Sequence, residues 1–302
     1  MKNARNSLLA TLLGMLFAGS AAAADYTVTV EPNYPPAQAQ QVYAPLLAYL
    51  SKATGQHFVL KTSANYHVYW RDLRGNVDTD FAFEEAHFTD YRINRQRFTP
   101  LVRVVDPTKF VLLVDSSNEA GGANGLIGRR IASMSAPSLG YLLLGELYKN
   151  PIAQPEIQSA AASWKDGVEM VFAQESEGAM VPGYIASTYP NLVSVATSRD
   201  FVGRAFSASP KVPPDVRKKV TDALLALHKN PALFDVISEL GATQFVPATA
   251  AEYAGNERLL RGVFGYVPLK SKPAPAAISA PGAPPGTAPA QPTGLSIKAK
   301  RG

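Results

Sequence analysis

The chain predicts an α/β fold in two lobes, on three observations. Residues 26–83 read as a β-α-β-α-β run, the pattern of a parallel sheet with helices on its faces. A second α/β run starts after the loop Ser116–Asn124. A helical segment trails from Pro213, and the length in between fits two domains of ordinary size.

Tyr26-Thr27-Val28-Thr29-Val30 alternates apolar and polar residues, as a half-buried strand does, and Pro32, Pro35 and Pro36 end it. Val42, Tyr43, Leu46, Leu47 and Leu50 recur at helical spacing over Ala37–Ala53, and Gly55 stops that helix. His57–Leu60 is a second strand, Tyr66–Leu73 a short helix and Phe81–Phe83 a third strand. Leu101–Val105 and Phe110–Val114 are apolar strands. In the second run, Arg130–Met134, Ala179–Val181 and Leu192–Ala196 are strands, and Leu139–Leu147 and Glu169–Gln174 are helical. Phe206–Ser209 is a short strand. Pro213 and Pro214 open a long helix through Leu227, because proline suits a first helical turn. Shorter helices are expected at Pro231–Leu240 and Ala250–Val263.

The two ends read differently. Lys2 and Arg5, the apolar Leu8–Phe17 and the small residues Ala21–Ala24 form an export signal over residues 1–24, cleaved before Asp25. No cysteine stands there to carry a lipid, so a freely soluble exported protein in a bacterial periplasm is expected. From Ser271 onward Pro, Ala, Gly, Ser and Thr dominate, which predicts a disordered tail over 269–302. The formal net charge is +5. Lys2, Arg5, Lys270, Lys272, Lys298, Lys300 and Arg301 contribute seven positive charges and no acid lies among them, so residues 25–269 carry −2. The basic pI of the whole chain is therefore no argument for nucleic-acid binding. The lack of cysteine excludes thiol catalysis and Fe–S clusters.

Asp80-Phe81-Ala82-Phe83-Glu84-Glu85-Ala86-His87 holds the most chemistry. A short apolar strand stops in two carboxylates and a histidine, and ligands of open α/β sheets sit beyond strand carboxyl ends. Glu84, Glu85 and His87 are candidate ligand groups, or an ordinary solvated turn. A metal reading of His67, Glu84, Glu85 and His87 matches no spacing motif. Ser138 opens the helix at Leu139, where backbone N–H groups favour anions; it caps that helix, with or without a ligand contact. Gly140 would allow close backbone approach. Tyr66 and, on the same logic, Tyr34 follow strands. Pro182 and Tyr184 follow the strand Ala179–Val181. No Gly-x-Ser-x-Gly elbow, P-loop, His-Glu-x-x-His or dinucleotide fingerprint occurs, so no enzyme is expected.

Several stretches carry a family resemblance. Tyr43-Ala44-Pro45-Leu46-Leu47-Ala48-Tyr49-Leu50, Val77-Asp78-Thr79-Asp80-Phe81-Ala82-Phe83 and Leu126-Ile127-Gly128-Arg129-Arg130-Ile131-Ala132 stand in order. Val212-Pro213-Pro214-Asp215-Val216-Arg217 and Leu240-Gly241-Ala242-Thr243-Gln244-Phe245-Val246-Pro247 with Glu252-Tyr253 follow them. Together these resemble the phosphonate-type periplasmic substrate-binding proteins of ABC transporters, in the type 2 periplasmic binding-protein superfamily, over residues 25–266. The resemblance implies two lobes joined by hinge strands, each a mainly parallel sheet flanked by helices: 25–108 with 208–268, and 109–207. It implies a small ligand, phosphonate-like or another oxyanion, held between them and no cofactor. It also implies a monomer that hands its ligand to an ABC permease; a periplasmic sensor module for a membrane receptor is the alternative. Two departures bear on the ligand. Glu84-Glu85 replaces a Gly-Pro turn. Ser135-Ala136-Pro137-Ser138-Leu139-Gly140-Tyr141 stands where the family has a hydroxyl-rich anion-binding turn, keeping only Ser138 beside Gly140. A cationic or amine ligand at the Glu84/Glu85 turn is thus the alternative reading. By position in the family, Tyr66, Ser135, Ser138, Leu139, Gly140 and Trp164 are ligand candidates.

Overall fold

The structure, a computed structural model, describes residues 25–269; the leader expected over 1–24 and the tail expected beyond Leu269 lie outside the described residues. In chain order the elements are β1 (Asp25–Val30), α1 (Pro36–Thr54), β2 (His57–Lys61), α2 (Tyr66–Arg74), β3 (Phe81–Glu84), α3 (Ala86–Gln96) and β4 (Thr99–Val104). Then follow β5 (Phe110–Val114), β6 (Arg130–Ala132), α4 (Leu139–Leu147), β7 (Glu156–Gln158), α5 (Trp164–Phe172), β8 (Gly178–Pro182), α6 (Gly183–Ala186) and β9 (Val193–Thr197). The chain closes with β10 (Ala205–Ala208), α7 (Pro214–Ala226), α8 (Phe234–Glu239), β11 (Phe245–Pro247) and α9 (Ala250–Tyr253).

Two sheets form, in the orders β11-β4-β10-β3-β1-β2 and β7-β6-β8-β5-β9. Each is mixed rather than mainly parallel. β2-β1-β3 and β7-β6-β8 pair in parallel, as their helical crossovers dictate. β10 and β5 enter antiparallel, because they are the strands on which the chain passes from one sheet to the other. α1 and α7 cover the first sheet with a buried set that includes Leu46, Leu50, Phe81, Val220 and Leu224. A second buried apolar cluster runs from Tyr66, Trp70 and Phe88 on α2 and α3 directly into Phe110, Leu139 and Trp164 of the other lobe. The lobes are therefore in apolar contact, closed on one another.

Two local expectations change. α9 stops at Tyr253 and a separate 3-10 turn, Asn256–Leu260, follows. Gly255 at φ +90° breaks the helix between them, a conformation that glycine tolerates and most residues do not. The edge strands β7 and β11, three residues each, are too short to show a period in the sequence.

Candidate functional site

Strand order builds the site. β10, β3 and β1 are neighbours, and the residues just beyond their edges come side by side. Ala205 pairs with Glu84, so Arg204 stands opposite Glu85. Val30 pairs with Phe83, which brings Glu31 to the same edge. The second lobe presents Trp164 at the start of α5 and Tyr184 just past β8.

These groups interlock across the cleft. Tyr66 Oη lies 2.8 Å from Glu31 Oε2 and 2.7 Å from Asn33 Oδ1, so its one hydroxyl proton is within reach of either oxygen. Trp164 Nε1 donates to the same Asn33 Oδ1 at 2.8 Å, tying the lobes together. The Glu85 backbone N–H donates to Glu31 Oε1. Lys165 Nζ reaches Glu239 Oε1 at 3.1 Å, and Tyr34 Oη donates to that oxygen at 3.0 Å. Arg204 lies over the rings of Phe83 and Tyr184, 4.7 and 5.6 Å from their centroids, with Nε 3.7 Å from Glu85 Oε1. Glu85 Oε2 and Arg204 Nη2 are buried without a hydrogen-bond partner among the described residues. A cavity of about 400 Å³ opens on Arg204, Tyr184, Thr108, Lys165 and Gly241.

Two carboxyls share this low-dielectric site. Burial, then the charge of Glu85, hold the Glu31 carboxyl well above the ordinary carboxylate range. Burial pushes Glu85 up to about 7, against the pull of Arg204 and a hydrogen bond to Thr108. A carboxyl whose folded pKa is raised binds its proton more tightly in the native state. Its stabilisation is complete below the unfolded pKa and is lost as pH rises towards 7. We expect the unfolding free energy of wild type, minus that of Glu85→Gln, to fall by roughly 3 kcal/mol between pH 4.5 and 7.5. Urea titrations of both proteins across that range measure it; a flat difference removes the assignment.

Several residues singled out in the sequence have other partners. Both Glu84 oxygens accept from Arg92 Nε, at 2.7 and 2.8 Å, and Tyr69 Oη donates to Oε1. Glu84 thus faces into the first lobe, away from the cleft. His87 Nε2 lies 3.0 Å from the Pro137 carbonyl, a contact between lobes, and burial pushes its pKa down to about 3. The neutral ring must carry its proton on Nε2, since a carbonyl only accepts, so the buried Nδ1 is an acceptor without a partner among the described residues. His67 is exposed, apart from His87 and Glu84, so no metal cluster forms from that set. Ser138 Oγ accepts from Tyr141 N at 3.3 Å and donates to the Met134 carbonyl at 3.0 Å, so it is a cap with both roles filled. We expect Ser138→Ala to cost about 1 kcal/mol, read from the urea midpoint. A Cβ on Gly140 would meet the Trp164 and Phe110 rings at 3.1 and 3.2 Å. That glycine admits aromatic side chains to the start of α4 where a ligand was expected. Leu139 is core, and the Ser135 carbonyl accepts from Ser138 N at 2.9 Å.

The sequence reading passed over Glu31, Asn33, Arg204 and Glu239. Glu31 had a signal: it follows β1 as Glu85 follows β3. Arg204 had none, because its position depends on an antiparallel return strand some 120 residues from Glu85.

Two mixed α/β sheets that close over a polar, aromatic-lined cleft define the class of two-lobed periplasmic binding proteins. A family model described as ABC transporter, phosphonate, periplasmic substrate-binding protein matches residues 28–253, and the chain belongs to that family. It is a family of substrate-binding transporter components, not of enzymes. A search of curated proteins returns no match. Among solved structures, a binding protein component of an ABC phosphonate transporter from Pseudomonas aeruginosa aligns at TM-score 0.65 and 11% identity, over 78% of this chain and 85% of its own. PhnD1 from Prochlorococcus marinus, in complex with methylphosphonate, aligns at 0.67 and 14%, over 78% and 97%. A Xanthomonas citri protein bound to chloride ion aligns at 0.62 and 15%, over 79% and 99%. At these identities the likeness is one of fold.

Proposed function

We propose that this chain captures a small oxyanion-bearing ligand between its lobes and delivers it to an ABC permease. The observation that carries the reading is the buried Arg204, which lines the 400 Å³ cavity with its Nη2 unpartnered among the described residues, and the carboxyl of Glu85 beside it, whose Oε2 is likewise unpartnered. A buried guanidinium donor and a buried carboxyl acceptor left without partners are costly, and a ligand that satisfies both removes the cost. Family membership supports transport, and the phosphonate complex of PhnD1 supports the ligand class. This chain differs from the family in where the anion goes. The start of α4 is covered by Trp164 and Phe110, so Arg204 takes the anionic group. Glu85, close to its titration range at neutral pH, accepts from a donor on the ligand or, protonated, donates to it.

A second reading has one observation of its own: two buried carboxyls, Glu31 and Glu85, against one arginine favour a cation or amine. A thermal-shift panel of phosphate, phosphite, alkylphosphonates, carboxylates and quaternary amines separates the two, since a ligand of the native state raises its stability by mass action. The expected result is a rise with an oxyanion that Arg204→Gln abolishes. Rises confined to amines would replace the first reading with the second, and no rise with any member would sink both.

A further inference from the structure

We propose a second ligand site, for an amphipathic organic anion, in the cleft mouth between α2, α4 and the segment 258–264. A cavity of about 750 Å³ lies there and shares no lining residue with the 400 Å³ cavity at Arg204. Its size is ordinary for a small-molecule pocket, which spans roughly 300–1,000 Å³. The chemistry of its lining is two-sided. Arg71, Arg74, Arg258 and Arg261 stand around it from the first lobe, and the acid it contains, Glu146, is paired with Arg199 at 2.6 Å. Among the described residues Arg258 and Arg261 have no ion-pair partner, and Arg74 Nε is buried without an acceptor. Arg74 is fixed over the Trp70 ring, 5.5 Å from its centroid, with Nη1 3.4 Å from the Gly265 carbonyl.

The rest of the wall is apolar. Trp70 and Leu259 are buried at its base, Tyr141 and Leu142 close the side from the second lobe, and Phe264 is 89% exposed. Arg71 is paired with Asp72 at 2.8 Å, which leaves the guanidiniums of Arg74, Arg258 and Arg261 converging without a carboxylate partner among the described residues; they repel one another, and an anion relieves that repulsion. An apolar body attached to the anion would cover Phe264, gaining the burial that ring lacks. Residues 258–302 include no Asp or Glu. The ligand class is a phosphate, phosphonate or carboxylate head on an alkyl or aryl body. Because both lobes line the site, its ligand favours the closed form and, by linkage, strengthens binding at Arg204.

The two tryptophans of the chain, Trp70 and Trp164, fall one in each site. The test uses the full chain with Trp164→Phe, so that emission reports Trp70 alone, titrated with octyl phosphate, octyltrimethylammonium and inorganic phosphate. Saturable change with octyl phosphate is expected, at least tenfold weaker with inorganic phosphate. In Arg258→Glu/Arg261→Glu, two exposed positions whose reversal spares the core, affinity falls tenfold or more, whereas Lys52→Glu, an exposed position on α1 that lines neither cavity, leaves it unchanged. Phosphorus-31 line broadening of octyl phosphate on Arg204→Gln with both tryptophans, with and without the charge reversal, gives the same comparison without a fluorophore. No saturable response, an equal response to octyltrimethylammonium, or unchanged affinity in the charge-reversed protein overturns the proposal. A saturable Trp70 response that persists in Arg204→Gln shows that the ligand is not held at Arg204, which keeps the outcome distinct from that of the Arg204 site.

Discussion

Replacing Arg92 with methionine is expected to destabilise the protein by about 3–5 kcal/mol and to lower its melting temperature by about 10 °C. Arg92 and Glu84 are 3% and 0% exposed in their side chains, and Arg92 Nε bonds both Glu84 oxygens. Arg92 Nη1 also donates to Gln96 Oε1 at 2.8 Å, and its guanidinium lies 4.9 Å from the Phe98 centroid. Methionine keeps much of the volume and removes the charge, so Glu84 stays buried with only the Tyr69 hydroxyl as a side-chain donor. Losing one partner of a buried pair costs far more than the pair contributes, because the remaining charge is desolvated and unopposed. The double change Glu84→Gln/Arg92→Met should therefore recover most of the loss, since glutamine is neutral and still accepts from Tyr69. Urea unfolding of the wild type, both single variants and the double gives the coupling, expected at about 1–3 kcal/mol. Ligand affinity in the double variant should match wild type, because neither side chain faces the cleft. An affinity loss there would restore Glu84 to the ligand site.

Gly241→Ala is expected to hold the lobes apart. Gly241 sits on the first lobe at φ +62°, and a Cβ there would come within 2.5 Å of the Tyr184 ring of the second. A planar ring cannot yield to an atom that close, so the closed form loses stability while each lobe keeps its own core. Forcing a methyl into a packed contact costs typically 1–3 kcal/mol. If closure is what makes the site, apparent affinity falls with the closed fraction, by about 10- to 100-fold. Solution scattering should show a larger radius of gyration that added ligand does not reverse. Gly241→Ala/Tyr184→Ala should regain the compact form, because the ring that collides is gone. A compact Gly241→Ala protein would mean that the contact does not limit closure.

The contrast between these two changes shows what could be read from residues alone. Strands with an alternating or fully apolar pattern, such as Tyr26–Val30 and Phe110–Val114, and the helix punctuated by Gly55 lie where their periodicity put them. Local pattern reports burial, and burial is what the core demands. The antiparallel entry of β10 is a property of chain path, with no local residue signature, so a mainly parallel sheet was expected. The same limit applies to the site. Glu85, Tyr66, Trp164 and Tyr184 follow strands or open helices, positions that α/β topology turns toward a cleft. Glu84 and Glu85 are adjacent, yet one bonds Arg92 inside the lobe and the other stands opposite Arg204. Side chains of consecutive strand residues point to opposite faces, and which face meets a ligand depends on a partner far along the chain. Asn33 is likewise defined by Trp164, 131 residues away.

The most direct measurement is a calorimetric titration of wild type, Arg204→Gln and Glu85→Gln with the oxyanion that gives the largest thermal shift. If Arg204 Nη2 and Glu85 Oε2 are the buried groups a ligand completes, both variants lose at least tenfold in affinity, about 1.4 kcal/mol each. They should do so while still unfolding cooperatively. Wild-type affinity in both variants would contradict the account and move the ligand away from the β1–β3–β10 edge.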